Sequence, residues 1–289
     1  MSISCEGQQE KETRSEANSP PVITSITISP ERPNKESDLS LFVQSHNPGG
    51  NPPTYRYQWV KNAEDIPGEN QESLRSGNFK KGDLIQVKVI PFDGNALGKP
   101  FLSDPVRISN SPPVAEEINI EPKLAYATSD LKAVARSSDP DGDSVNYHYT
   151  WEKNGIVLSE EDILQSNGLK RGESVTVTVT PHDGEVSGKP KKSEPLIITN
   201  SPPLIVSSPP SNLKGNIYTY QVKAEDPDND PIIFSLKTAP KGMVINKESG
   251  LIQWEFEKKD HGNQLVEIEA FDPEGAKSFQ RYLLTIEVR

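Results

Sequence analysis

The chain has 289 residues, 33% of them hydrophobic and 25% charged, with 26 prolines and 19 glycines. That much proline disfavours long helices and central strands, and the apolar fraction is low for one large core. The 42 acidic residues outnumber 31 basic ones, a formal charge of -11 that argues against a nucleic-acid partner; one cysteine and four histidines exclude an internal disulfide and a Cys/His zinc cluster, and no apolar run of about 18 residues is present to cross a membrane as a helix.

In chain order, residues 6–17 are polar and charged and lack aromatic or large aliphatic anchors. Residues 1–18 are therefore predicted to form a disordered tether, because such a segment cannot bury enough surface to offset its ordering entropy. A tag then opens three repeats: Asn18-Ser19-Pro20-Pro21, Asn110-Ser111-Pro112-Pro113 and Asn200-Ser201-Pro202-Pro203, spaced 92 and 90 residues apart. Ile26, Ile28, Pro30 and Trp59 match Ile118, Ile120, Pro122 and Trp151 at an offset of 92; Gly82, Asp93 and Gly94 match Gly172, Asp183 and Gly184 at 90. A constant offset with one short deletion indicates duplication. The predicted domains are residues 19–109, 110–200 and 201–289.

Strands are predicted throughout. In the first repeat, Tyr55-Arg56-Tyr57-Gln58-Trp59 and Ile85-Gln86-Val87-Lys88-Val89 alternate, the first with its aromatic rings inward. The second repeats this with Tyr147-His148-Tyr149-Thr150-Trp151 and Val175-Thr176-Val177-Thr178-Val179, and Asn154-Gly155 marks a tight turn. Residues 159–165 read as a single helical turn inside a loop. In the third repeat, Val266-Glu267-Ile268-Glu269-Ala270 alternates again. About seven short strands in about 90 residues suit an immunoglobulin-like sandwich.

The first two repeats resemble the tandem bacterial immunoglobulin-like repeats of surface proteins. The resemblance rests on Asn-x-Pro-Pro, Asp139-Pro140-Asp141-Gly142-Asp143, Tyr147-x-Tyr149-x-Trp151-x-Lys153-Asn154-Gly155 and the late strand ending in Asp183-Gly184. The third resembles the cadherin-like, dystroglycan-type immunoglobulin domain, through Tyr218-x-Tyr220-x-Val222-x-Ala224, Asp226-x-Asp228-x-Asp230 and Gly250-Leu251-Ile252-Gln253-Trp254. The fold class this implies is all-β: three tandem immunoglobulin-like or cadherin-like sandwiches in an elongated array behind the tether. It also implies core positions for Trp59 and Trp151, and places Asp183 and Asp272, at the end of the late strand, near the first acidic loop. Ser2-Ile3-Ser4-Cys5 resembles the end of a bacterial lipoprotein signal, which implies lipidation of Cys5; the alternative is an incidental cysteine in a tail.

The chemical candidates are the acidic loops. Asp139, Asp141 and Asp143 alternate along one tight loop, and Asp226, Asp228 and Asp230 repeat the arrangement; Asp183 and Asp272 complete the set. Crowded carboxylates repel unless a cation or hydrogen-bond donors offset them, and hard oxygen ligands suit calcium. The other reading is a plain Asx-turn cluster. The first repeat has Asn47, Gly49 and Asn51 at these places and is expected to fold without an ion. Lys80-Lys81 and Lys170-Arg171 read as solvated turns, and the acidic run at residues 159–162 as an exposed loop. His46, His148, His182 and His261 are scattered, and no nucleophile elbow, zinc-protease or phosphate-cradle motif occurs.

The expected function is non-enzymatic: an extracytoplasmic cell-surface protein, lipid-anchored or secreted, acting as spacer, scaffold or protein-protein interaction module among other envelope or extracellular proteins. The alternative is a carbohydrate-binding or adhesin module. Buried Tyr and Trp rings point to the first, an exposed aromatic platform to the second.

Overall fold

The structure, a computed structural model, describes residues 19–48, 50, 52–166, 168–210 and 215–287. Within these, the chain forms strands and one turn of 3-10 helix at Lys258–Asp260. Residues 1–18, and with them Cys5 and the predicted tether, lie outside the described residues, as do Gly49 and Asn51.

The chain divides into two compact units. One gathers the described residues up to Glu116 with Ser137–Tyr147 and Thr180–Lys189; the other holds Glu117–Arg136, His148–Val179 and the chain from Pro190 onward.

The first unit carries β1 (Val22–Ser29), β2 (Leu39–His46), β3 (Thr54–Lys61), β4 (Glu64–Asp65), β5 (Ser73–Leu74), β6 (Leu84–Phe92), β7 (Phe101–Leu102) and β8 (Val106–Arg107). They make two antiparallel sheets, β1-β2-β5 and β4-β3-β6-β7, with β8 also on β6. Alternation along β6 buries Ile85, Val87 and Val89 and leaves Gln86 and Lys88 partly exposed. These side chains and Trp59 of β3 pack with Ile23, Ile28, Leu39 and Leu74 of the other sheet, which closes the sandwich. Trp59 is fully buried and its Nε1–H donates to the Gln71 carbonyl at 3.0 Å, so the ring enters the core without an orphaned donor. Tyr55 and Tyr57, expected inward, are half-buried; the Tyr55 hydroxyl lies 2.7 Å from Ser45 Oγ.

Most of β9 (Val114–Glu121), β10 (Leu131–Ser138), β11 (Asn146–Lys153), β12 (Ile156–Ser159), β13 (Ile163–Leu164), β14 (Ser174–His182), β15 (Lys191–Lys192) and β16 (Leu196–Ile197) belongs to the second unit. Their sheets are β13-β10-β9 and β12-β11-β14-β15, with β16 on β14, the arrangement of the first repeat. Trp151 is fully buried with Nε1–H on the Glu161 carbonyl at 2.9 Å. Asn154 and Gly155 take φ of 51° and 78° and turn β11 into β12, as the Asn-Gly pair predicts. The helical turn expected over residues 159–165 does not form. Ser159 ends β12, and Ile163 and Leu164 pair with Lys132 and Leu131, because Leu164 is drawn into the core as a strand residue.

The second unit continues with β17 (Leu204–Ile205), β18 (Ile217–Gln221), β19 (Ala224–Glu225), β20 (Ile233–Thr238), β21 (Val244–Ile245), β22 (Leu251–Glu255), β23 (Gly262–Phe271) and β24 (Lys277–Ile286). Sheets β18-β22-β21 and β20-β23-β24 face each other across Tyr218, Tyr220, Ile252 and Trp254 on one side and Phe234, Val266, Ile268 and Ile286 on the other; β17 pairs with β19. Trp254 packs against Phe256 with centroids 5.5 Å apart. Alternation on β23 breaks at Glu269, which is 4% exposed. Its carboxylate is held by Lys277 at 2.9 Å, Lys237 at 3.3 Å and Ser235 at 3.0 Å, and these partners keep its pKa below the ordinary range against the upward pull of burial.

Candidate functional site

Each acidic loop leaves a strand and tightens into an Asx turn. In the loop after β10, Asp139 Oδ1 accepts the N–H groups of Asp141 at 2.8 Å and Asp143 at 3.2 Å, while Gly142 at φ 84° closes the turn. After β19, Asp226 Oδ1 accepts from Asp228 at 2.8 Å and Asp230 at 3.2 Å, and Asn229 takes the left-handed position at φ 65°. Both loops thus have the backbone geometry of an Asx turn, and that turn uses only one carboxylate oxygen per loop.

One further oxygen of each loop, and one of each late-strand aspartate, meets the linker tag. Ser111 N–H donates to Asp141 Oδ2 at 2.6 Å, and Asn110 Nδ2 donates to Asp183 Oδ2 at 2.6 Å. In the second unit, Ser201 N–H donates to Asp228 Oδ2 at 2.6 Å and Asn200 Nδ2 to Asp272 Oδ2 at 2.7 Å. Asp183 Oδ1 caps the N–H groups of Glu185 and Val186 at 2.7 and 2.8 Å; Asp272 Oδ1 caps Gly275 and Ala276 at 2.7 and 3.0 Å. Burial pushes the Asp183 carboxyl up, but the Val186 N–H, the Asn110 amide and the Glu185 N–H together hold it below the usual range. The linker's second proline is seated too: a Cβ on Gly188 would overlap the Pro113 carbonyl oxygen, and one on Gly98 the Pro21 oxygen, so only glycine admits the backbone there.

A cation closes each site. Lys81 Nζ lies 2.9 Å from Asp143 Oδ2 and 2.5 Å from Glu185 Oε1, and Lys35 donates to the Pro140 carbonyl. The hydrogen bonds from Lys81 to Glu185 and Asp143 raise its pKa. Arg171, 90 residues on from Lys81, forks onto Asp230 at 2.5 and 3.3 Å and also reaches Asn200 Oδ1 at 2.5 Å and Glu274 Oε1 at 3.1 Å. Its charged form is stabilised chiefly by the Asp230 hydrogen bond. These cations correct the expectation of solvated turns. Gly82 and Gly172, which follow them, donate to the Ile108 and Ile198 carbonyls at 2.8 Å just before each linker, and this delivers Lys81 and Arg171 to the loops. The equivalence of the two basic residues at one offset was the available signal.

The structure thus brings Asp139, Asp141, Asp143 and Asp183 together around Asn110 and Ser111, and Asp226, Asp228, Asp230 and Asp272 around Asn200 and Ser201. Oxygens of Asp139, Asp141 and Asp143 lie within 4.8 Å of one another. Among the described residues, the buried polar side-chain atoms without a hydrogen-bond partner include Asn110 Oδ1, Ser111 Oγ, Asp139 Oδ2 and Asp141 Oδ1 at the first cluster, and Ser201 Oγ and Asp226 Oδ2 at the second.

Residues 195–287 match the family model He_PIG, described as "Putative Ig domain". Among curated proteins, no sequence matches the chain. Solved structures similar to it include three N-terminal domains of the Highly Immunogenic Outer Capsid protein of bacteriophage RB49, 13% identical, covering 91% of this chain and 97% of that one with a TM-score of 0.31. The N-terminal eight Ig domains of Down Syndrome Cell Adhesion Molecule are 11% identical over 93% of this chain and 37% of that one, TM-score 0.43. The chicken CNTN1 FN1–FN3 domains are 13% identical over 93% and 100%, TM-score 0.32. The chain is an all-β protein of immunoglobulin-like sandwiches, and its residues 195–287 match that immunoglobulin-domain family.

Proposed function

We propose that the chain is a non-enzymatic extracytoplasmic cell-surface protein, with residues 19–109, 110–200 and 201–289 as tandem immunoglobulin-like domains that serve as spacer, scaffold or protein-protein interaction module, and with a lipid on Cys5. Arrays of such domains are typical of adhesion and interaction proteins. What carries the reading is the engagement of the acidic loops. Their carboxylates are taken by the preceding linker and by a cation from the preceding repeat, not turned into an open cleft. That is the chemistry of a joint between neighbours in one chain.

The tryptophan and tyrosine rings support this reading over a carbohydrate platform, while Phe42 and Phe279 are exposed. Trp59, Trp151 and Trp254 are at most 2% exposed, and each of the eight tyrosines is buried or half-buried. Sugar recognition by ring stacking needs an open ring face.

The test uses the chain expressed with its native upstream sequence. The wild type is expected in the membrane fraction and cleavable by protease added to intact cells, and Cys5→Ser in the soluble fraction. Equal partitioning of the two removes the lipid from the reading. Saturable binding of the purified chain to a saccharide on a glycan array overturns the choice against a carbohydrate module.

A further inference from the structure

The first two repeats close the same sheet with the same hairpin but with opposite chemistry. β4 follows β3 and β12 follows β11, and each is the outer strand of its sheet. Lys61 pairs with Glu64 and Val60 with Asp65; at the same places Lys153 pairs with Ile156 and Glu152 with Val157. The first repeat thus ends its sheet in two exposed carboxylates. The second presents Ile156 at 66% and Val157 at 52% exposure, followed by exposed Leu158. Ile163, which stands where the first repeat has Ser73, is exposed as well.

An outer strand offers its free N–H and C=O groups to another chain, and charged side chains are the usual guard against that. Glu64 and Asp65 are such a guard; Ile156 and Val157 are the reverse. Residues of β12 and β13 line a cleft of about 550 Å³. Leu158, the extra residue of the bulge opposite Trp151 and Glu152, lines it together with Ile163, Leu164, Leu169, Glu161 and Asp162. A strand added to β12 sends alternate side chains toward this cleft. Charge sets the direction of that strand and its identity. Glu160, Glu161 and Asp162 are exposed at the far end of β12 and, among the described residues, their side chains have no partner. Lys153 stands at the near end, on β11 beside the turn, with Glu173 at 3.0 Å. A second β12 running antiparallel brings the acidic run of each copy toward the Lys153 of the other, whereas a parallel one sets acid against acid. A twofold axis across the pair covers both apolar edges at once.

We propose that β12 is a self-association edge: two copies of the chain pair antiparallel through Ile156 and Val157, with Leu158 and Ile163 completing the apolar strip. The strip is short, so the contact belongs to the small, reversible class of interfaces, below about 1,200 Å². This goes beyond the spacer reading and does not rest on it; a monomeric chain leaves that reading standing.

Sedimentation equilibrium of the purified full chain over a series of concentrations decides it. The wild type is expected in a reversible monomer–dimer equilibrium with a dissociation constant below about 1 mM. Ile156→Glu combined with Val157→Asp, the residue types of the first repeat, makes the chain monomeric, and Glu64→Gln combined with Asp65→Asn leaves the equilibrium unchanged. Disulfide trapping places the contact: in a Cys5→Ser background, Val157→Cys forms a covalent dimer under mild oxidation and Asp65→Cys does not. Circular dichroism checks the fold of each variant; if the double edge variant unfolds, Ile156→Lys takes its place. A wild type that stays monomeric up to about 1 mM overturns the inference, whatever other strand the edge accepts. So does a dimer that survives in the folded edge variant, or equal trapping at positions 157 and 65.

Discussion

The turns at residues 139–143 and 226–230 superpose in chemistry almost atom for atom: an Asx cap from the first aspartate, a linker N–H on the second, a cation on the third. They part at the cation. Lysine is a point charge on a flexible stem and satisfies the outermost carboxylate. Arginine is a planar fork and satisfies the carboxylate and the linker amide together. One substitution in a turn therefore decides how many buried acceptors the neighbouring loop keeps. The corresponding segment of the first repeat, residues 47–51, carries no carboxylate.

The largest expected effect lies with the late-strand aspartates. Asp272 is 1% exposed and accepts three hydrogen bonds, so Asp272→Ala orphans two backbone donors and the Asn200 amide; about 3 kcal/mol of unfolding free energy should be lost. Asp183, with the same bonds but more solvent, should lose about half that. Urea unfolding of the two variants measures the pair, and equal losses would mean that burial does not separate the two joints.

Next comes the cation itself. Arg171→Lys should lower the melting temperature, because a lysine cannot hold Asp230 and Asn200 at once, whereas Lys81→Arg should be neutral or stabilising. Thermal melts at low and high salt read this. A loss in both variants would make the fork irrelevant.

The smallest effect is in pH. The folded-state pKa of Asp183 is depressed, so its ionised form adds stability above the unfolded-state value, about 4, and that stability is lost as pH falls through the folded value. Acid unfolding of Asp183→Asn should be flatter than the wild type below about pH 4. An unchanged acid limb would show that the Val186, Asn110 and Glu185 hydrogen bonds do not favour the charged form.

Much of the architecture was legible from residues alone, and for local reasons. Period-two alternation at Ile85–Val89 and Val175–Val179 needs only a sheet with one dry face. Asn154-Gly155 needs only its own left-handed backbone preference. Local reasoning failed where a distant partner rewrote the outcome. Glu269 reads as a wet strand position, yet it is buried because Lys237 and Lys277 arrive from β20 and β24. Residues 159–165 show helical spacing, yet Leu164 joins β10.

By itself, then, the sequence determined the repeat period, the strand faces, the buried tryptophans and the spacing of the aspartates, all set by steric and solvation preferences within a few residues. Only the tertiary structure decided what those aspartates meet. Asn110 and Ser111 lie about 30 residues before the turn at residues 139–143, and Lys81 lies 62 residues from Asp143. Such pairings depend on where two sheets and a linker place charges in space. A carboxylate's spacing along the chain carries its charge but not the donor that will answer it.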